Sequence, residues 1–193
     1  MKSLEHQVAG RFKIEAVNSK TGESRILADW FDNLITDQGL DRMGVGAFYG
    51  RVHVGSGSAA PLPTDTGLQS PVAETSITPS GYTNGASAVE PYYGWSRITY
   101  RFNPGVAAGN LSEVSMNWAT GNSSAFSRAL IKEAGVPITI TVLADDYLDV
   151  TYEFRSYAPV GDATFQAVIG GVTHNCVLRA SNANQSYYWA PAV

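Results

Sequence analysis

Apolar and polar residues alternate with a period of two along most of the chain, the pattern of strands with one buried and one solvated face. Phe12, Ile14 and Ala16 alternate with Arg11, Lys13 and Glu15. The polar stretch Asn18-Ser19-Lys20-Thr21-Gly22 follows, and Ile26, Ala28 and Trp30 then fall on one face. This predicts a first hairpin, with Gly22 able to take a positive φ in its loop. Thr36 to Met43 breaks the alternation and predicts one short helix. Thr36 would cap it, Asp37 would sit in its first turn, and Leu40 and Met43 would share a face. Val52 and Val54 then predict a short strand.

Strand signals crowd the second half. Ile98, Tyr100 and Phe102 alternate with Arg97, Thr99 and Arg101. Val114, Met116 and Trp118 alternate with Glu113, Ser115 and Asn117, and Ile138, Ile140 and Val142 with Thr139 and Thr141. Leu148, Val150, Tyr152 and Phe154 alternate with Asp149, Thr151, Glu153 and Arg155, after a tight turn at Ala144-Asp145-Asp146. Phe165, Ala167 and Ile169 lead into Gly170-Gly171, and Val172, His174, Cys176 and Leu178 follow. Two glycines between alternating runs predict a hairpin with a two-residue turn.

One stretch departs from this texture. Residues 55–90 hold Pro61, Pro63, Pro71 and Pro79 among Ser, Thr, Gly and Ala. So long a loop is unusual in a compact domain. It reads either as an extended arm packing on a neighbour or as a surface loop with one short strand near Leu68–Ala73. Read as an arm, its central part, 58–88, could be deleted without harm to the β core. The expected fold class is therefore all-β and mainly antiparallel: a β-sandwich-like domain over 1–193, with a short helix and 55–90 as a long Pro/Ser/Gly-rich loop or arm.

Composition sharpens the expected environment. Only 16% of the 193 residues are charged, against about 25% in an average soluble domain. Neutral polar and aromatic residues must cover much of the surface, which suits burial against neighbours. The net charge of −4 and the absence of any Lys/Arg run argue against nucleic-acid binding. With Cys176 the single cysteine, no intramolecular disulfide can form. The first residues lack the apolar stretch of a secretory signal, and no window approaches a membrane-spanning length. The expectation is a chain made in a host cytoplasm, with no membrane partner.

Candidate chemistry is sparse. Val54-Gly55-Ser56-Gly57-Ser58-Ala59-Ala60 follows a strand as a dinucleotide fingerprint would, but Pro61-Leu62-Pro63 prevents the helix that would receive the pyrophosphate. Asp145, Asp146, Asp149 and Glu153 cluster in sequence, and the strand register assigns them to a solvated turn and face. His6, His53 and His174 have no ligand spacing. His174 and Cys176 share a strand face without a third group to orient them. No catalytic, cofactor-binding or metal residue is assigned. Exposed aromatics can anchor interfaces or stack on sugars, so the candidate interface residues are Tyr92, Tyr93 and Trp95, and Tyr187, Tyr188 and Trp189.

Several phrases, taken in order, resemble a known family. They are Trp30-Phe31-Asp32-Asn33-Leu34-Ile35 with Gly39-Leu40-Asp41-Arg42-Met43, then Val54-Gly55-Ser56-Gly57 leading to Thr64-Asp65-Thr66-Gly67-Leu68. Gly109-Asn110-Leu111-Ser112-Glu113-Val114, Phe126-Ser127-Arg128-Ala129-Leu130-Ile131 and the run from Ile138 to Arg155 follow. Together, over residues 26–180, they resemble tailed-bacteriophage tail and tail-fibre structural proteins. The resemblance implies a virion structural protein of the tail (tail fibre, baseplate or collar adaptor) without catalytic residues. It further implies a homo-oligomer that contacts other phage virion proteins, with a host surface glycan as a further partner. A capsid decoration protein, a carbohydrate-binding β-sandwich and a hydrolase are the competing readings. The last two are disfavoured by the absence of an export signal and of a catalytic constellation.

Overall fold

The computed structural model describes residues 7–157 and 163–178. They are mainly antiparallel β with one helix, the class the alternation predicts. In chain order the elements are β1 (Gln7–Asn18), β2 (Ser24–Asp32), β3 (Leu34–Ile35), α1 (Asp37–Met43) and β4 (Arg51–Gly55). Next come β5 (Pro71–Thr75), β6 (Thr83–Ala86), β7 (Tyr93–Phe102), β8 (Gly109–Leu111), β9 (Glu113–Asn117) and β10 (Ala125–Leu130). Then follow β11 (Lys132–Glu133), β12 (Val136–Pro137), β13 (Ile140–Val142), β14 (Asp146–Tyr157), β15 (Ala163–Ile169) and β16 (Val172–Leu178). One five-stranded sheet has the order β2-β1-β14-β7-β6, and a second has β3-β10-β9-β4-β5. Among the described residues no helix is long and apolar enough to cross a membrane.

The two sheets face each other across an aromatic core. The first sheet supplies cross-strand rows: Phe12, Tyr152 and Ile98; Ile14, Val150 and Tyr100; Ala16, Leu148 and Phe102. All nine are buried. The second sheet answers with Val52, Val54, Val114, Met116 and Phe126. Phe126 stacks on Phe48 at 4.4 Å between ring centroids and meets Tyr152 edge-on at 6.5 Å. Each such apolar side chain contributes about 1.5–3 kcal/mol on burial. The Tyr152 hydroxyl is satisfied within this core, accepting from Asn33 at 3.3 Å and from Ser127 at 3.5 Å. Burial pushes its pKa up to about 12.

The local expectations hold in several places. Gly22 takes φ +74°, and Gly170 and Gly171 take +60° and +83°, as a two-residue hairpin turn requires. Thr36 caps α1, accepting from the Gly39 N–H at 3.1 Å while donating its own hydroxyl to the Ala125 carbonyl at 2.7 Å. Leu40, however, is exposed, and Gly39 is the residue the helix buries. Gly39 lies so close to the Phe126 carbonyl that a Cβ would collide with it.

Two expectations are corrected. Ile26, Ala28 and Trp30 do not share a buried face. Register shifts between β1 and β2 leave Phe31 opposite Phe12 and Ala28 opposite Ile14, with an extra residue between them. That bulge turns Ala28 and Phe31 inward and frees Trp30 for the outer face, and a second shift between Ile14 and Glu15 leaves Ile26 exposed opposite Glu15. The second correction concerns the deletion of 58–88, although the short strand expected near Leu68–Ala73 is present as β5. The stretch 55–90 contains β5, an edge of the second sheet, and β6, an edge of the first. Its 56–70 part is pinned over the second sheet by a buried carboxylate. Glu113 accepts from the backbone N–H groups of Gly57 at 3.0 Å, Gln69 at 3.0 Å and Ser70 at 2.7 Å. Arg128 completes the set at 2.8 Å from Glu113 and 2.5 Å from Asp65. Deleting 58–88 would therefore remove two strands and two of the three backbone donors of a fully buried charge, so the β core would not be spared.

Candidate interaction surface

The outer face of the first sheet carries the polar halves of the same alternating strands. Cross-strand register sets Arg11 beside Glu153 and Glu153 beside Arg97 in one row. Arg155 lies two residues on, on the same face. Glu153, assigned to solvent by its position in the strand, is instead fully buried. Arg11 reaches it at 2.7 Å, Arg155 at 2.6 Å, and Arg97 bonds the second carboxylate oxygen. Burial alone would raise the Glu153 pKa, but the three guanidinium bonds outweigh burial and hold it below the usual value. Trp30, placed here by the bulge, lies 4.2 Å from the Arg11 guanidinium and 5.2 Å from that of Arg97.

Most of the other charged and polar groups on the face are paired. Arg101 grips Asp149 with Nε at 2.7 Å and Nη2 at 2.6 Å. Thr99 and Thr151 share a hydroxyl bond of 2.8 Å, and Lys13 meets Glu15 at 3.1 Å. The sequence cluster of acids is thus dispersed, each acid with its own cation. Asp145 takes Lys20 at 2.7 Å. Asp146, expected in a solvated turn, is buried against Arg25 at 2.5 Å, and that bond holds its pKa below the usual range. Among the described residues no group of three or more His, Cys, Asp or Glu could hold a metal ion.

Two of the aromatic candidates belong to this surface. Tyr93 lies 5.2 Å from Tyr157 and 4.5 Å from the Arg155 guanidinium. Trp95 lies 4.2 Å from that of Arg97 and against Gly85, where a Cβ would strike the ring. Tyr92 is exposed just before β7. Tyr187, Tyr188 and Trp189 lie outside the described residues. Arg11, Arg97 and Arg155, the charges around Glu153, and the ring of Trp30 were not singled out as site residues by sequence. Their polar alternation was visible, but their convergence depends on which strands pair.

Other motifs are accounted for internally. The Gly57 amide is taken by Glu113, and those of Ser58 and Ala59 by the Gln69 side chain at 2.9 and 2.8 Å. His53 is buried in the second sheet. Its Nε2 lies 3.0 Å from Glu74 but off the line a hydrogen bond needs, and burial lowers its pKa. His174 and Cys176 do share a face of β16, opposite Ala167 and Phe165.

The β15–β16 hairpin forms a second surface. Residues 163–178 contain no Asp, Glu, Lys or Arg. Phe165, Ile169 and Val172 share one face, and Val168 and Val177 lie on the other; all five are at least 50% exposed. Among the described residues the two strands pair only with each other.

Comparison of the chain with known protein families, with curated proteins and with solved structures returned no match.

Proposed function

We propose that this chain is a non-catalytic structural component of a tailed-phage particle, a tail-fibre, baseplate or collar adaptor acting through protein–protein assembly. The observation that carries the reading is the uncharged β15–β16 hairpin. A lone two-stranded hairpin is marginally stable in water, and contiguous exposed apolar side chains mark contact surfaces. Open strand edges without charged residues invite pairing with another chain. A free monomer would keep such an element as a liability, whereas a particle component has a neighbour to cover it. The order of phrases resembling tail and tail-fibre proteins supplies the setting, and the low charge of the whole chain agrees with it.

The test is incorporation. Tagged chain should co-purify with infectious particles in multiple copies. The double substitution Ile169→Asp and Val172→Asp touches only exposed positions, so the purified variant should keep the melting temperature of the parent. It should be lost from particles. Absence of the parent chain from particles, or normal copy number of a folded variant, would refute the reading.

A further inference from the structure

The arginines around Glu153 outnumber the charge they neutralise. Arg11, Arg97 and Arg155 bring three guanidinium groups to one carboxylate, each through Nε. Arg101 on the same face is spent differently, giving both Nε and Nη2 to Asp149 in a one-to-one pair. Among the described residues the ion pairs of Arg11, Arg97 and Arg155 all end at Glu153. Asp32, the cross-strand partner of Arg11, is exposed and joins no ion pair among the described residues. Set against Glu153 and Asp32, the three arginines keep one positive charge in surplus, on side chains that remain 21%, 36% and 19% exposed.

The aromatic rings show how these groups are used. Trp30 supports Arg11 and Arg97, Trp95 supports Arg97, and Tyr93 supports Arg155. Stacking fixes the guanidinium planes, so little rotamer freedom remains to be lost on binding. It also occupies the rings as supports, which leaves N–H forks rather than open ring faces to meet a ligand. Guanidinium forks match carboxylates geometrically and electrostatically. Arg, Trp and Tyr are the residues that concentrate binding energy at protein interfaces.

We propose that this face of the first sheet docks an acidic protein segment, whose Asp or Glu carboxylates are held by the remaining N–H groups of Arg11, Arg97 and Arg155. The inference deepens the assembly reading, and rests on it only for the partner being a protein. A sugar acid would bring the same carboxylate, but with the rings occupied it would have no platform on which to stack. A surplus of one charge on a chain of net charge −4 does not make a nucleic-acid footprint.

The probe is a short polyglutamate peptide, with an oligogalacturonate of matched charge alongside. Binding to the full chain is followed by tryptophan fluorescence, for which Trp30 and Trp95 are placed to report. The peptide should bind saturably and weaken as salt rises from about 50 to about 200 mM. Arg11→Gln and Arg97→Gln should each lower affinity at least about tenfold, as loss of a charge-assisted bond predicts. Arg101→Gln should stay within about twofold of the parent. Each single change leaves Glu153 two arginines. Should one still fail to fold, Arg97→Lys keeps the charge and loses the fork, and it should also bind more weakly than the parent. Failure of the folded parent to bind the peptide overturns the inference. So does an equal loss in Arg101→Gln, or binding of the oligogalacturonate in place of the peptide. Peptide binding by a chain absent from particles would uphold the docking site and refute only the assembly reading.

Discussion

Replacing Glu113 by glutamine puts an amide where a carboxylate accepts from three backbone N–H groups and one guanidinium. The amide nitrogen would face donors, and one side of the site would lose its acceptor. Arg128, only 3% exposed at its side chain, would keep Asp65 as its remaining carboxylate. Breaking a buried ion pair from one side costs about 3–5 kcal/mol, a large share of a stability of about 5–15 kcal/mol. With a urea m-value near 2 kcal/mol/M, the midpoint should fall by about 2 M at unchanged m. Loop 56–70 should become sensitive to limited proteolysis under native conditions, because its backbone donors lose their anchor. Adding Arg128→Met should recover part of the loss, since the uncompensated charge is then gone. A Glu113→Gln midpoint within experimental error of the parent would refute the view that this carboxylate holds the loop to the sheet.

Val150→Asp should unfold the chain or lower its melting temperature drastically, whereas Thr151→Asp should be mild; equal melting temperatures would mean the β14 register is wrong. Asp149→Asn should change stability by about 1 kcal/mol or less in urea titration, because its pair with Arg101 is partly exposed. Asp146 and Glu153 have folded pKa values below their ordinary 3.8 and 4.5. Their contribution is therefore full above those ordinary values and lost as pH falls through the lowered ones. Urea midpoints should accordingly hold near neutral pH and drop below about pH 4, with a shallower drop in Asp146→Asn.

Where local pattern and burial coincide, the residues alone described the fold well. The unbroken alternation from Leu148 to Phe154 is one buried row in the structure. Thr36 caps its helix through its own hydroxyl, and Gly170-Gly171 turn as their chemistry demands. What was not legible depends on long-range pairing. The two β1–β2 register shifts invert Trp30 and Ile26 without any local mark. Glu153 looks solvated until β1 and β7 bring arginines to both sides of it. The proline-rich appearance of 55–90 conceals that Glu113, more than forty residues after Gln69, supplies the fixed point for the loop. The candidate surface was half legible: Tyr93 and Trp95 were in view, but the charges beneath them were not.

The order of the first sheet has a consequence for the chain as it is made. The central partner of β1 is β14, so Arg11 and Glu153, bonded in the finished sheet, are 142 residues apart. At a synthesis rate of about 5–20 residues per second, β1 waits on the order of 10–30 s before its partner leaves the ribosome. During that interval it has only β2 beside it in its own sheet, although every strand of the facing sheet, the last of them β10, is made before β14. A strand made well before its central partner is thus among the last to be fully paired. Its exposure to chaperones and to other nascent copies is set by connectivity, whatever the final stability of the sandwich.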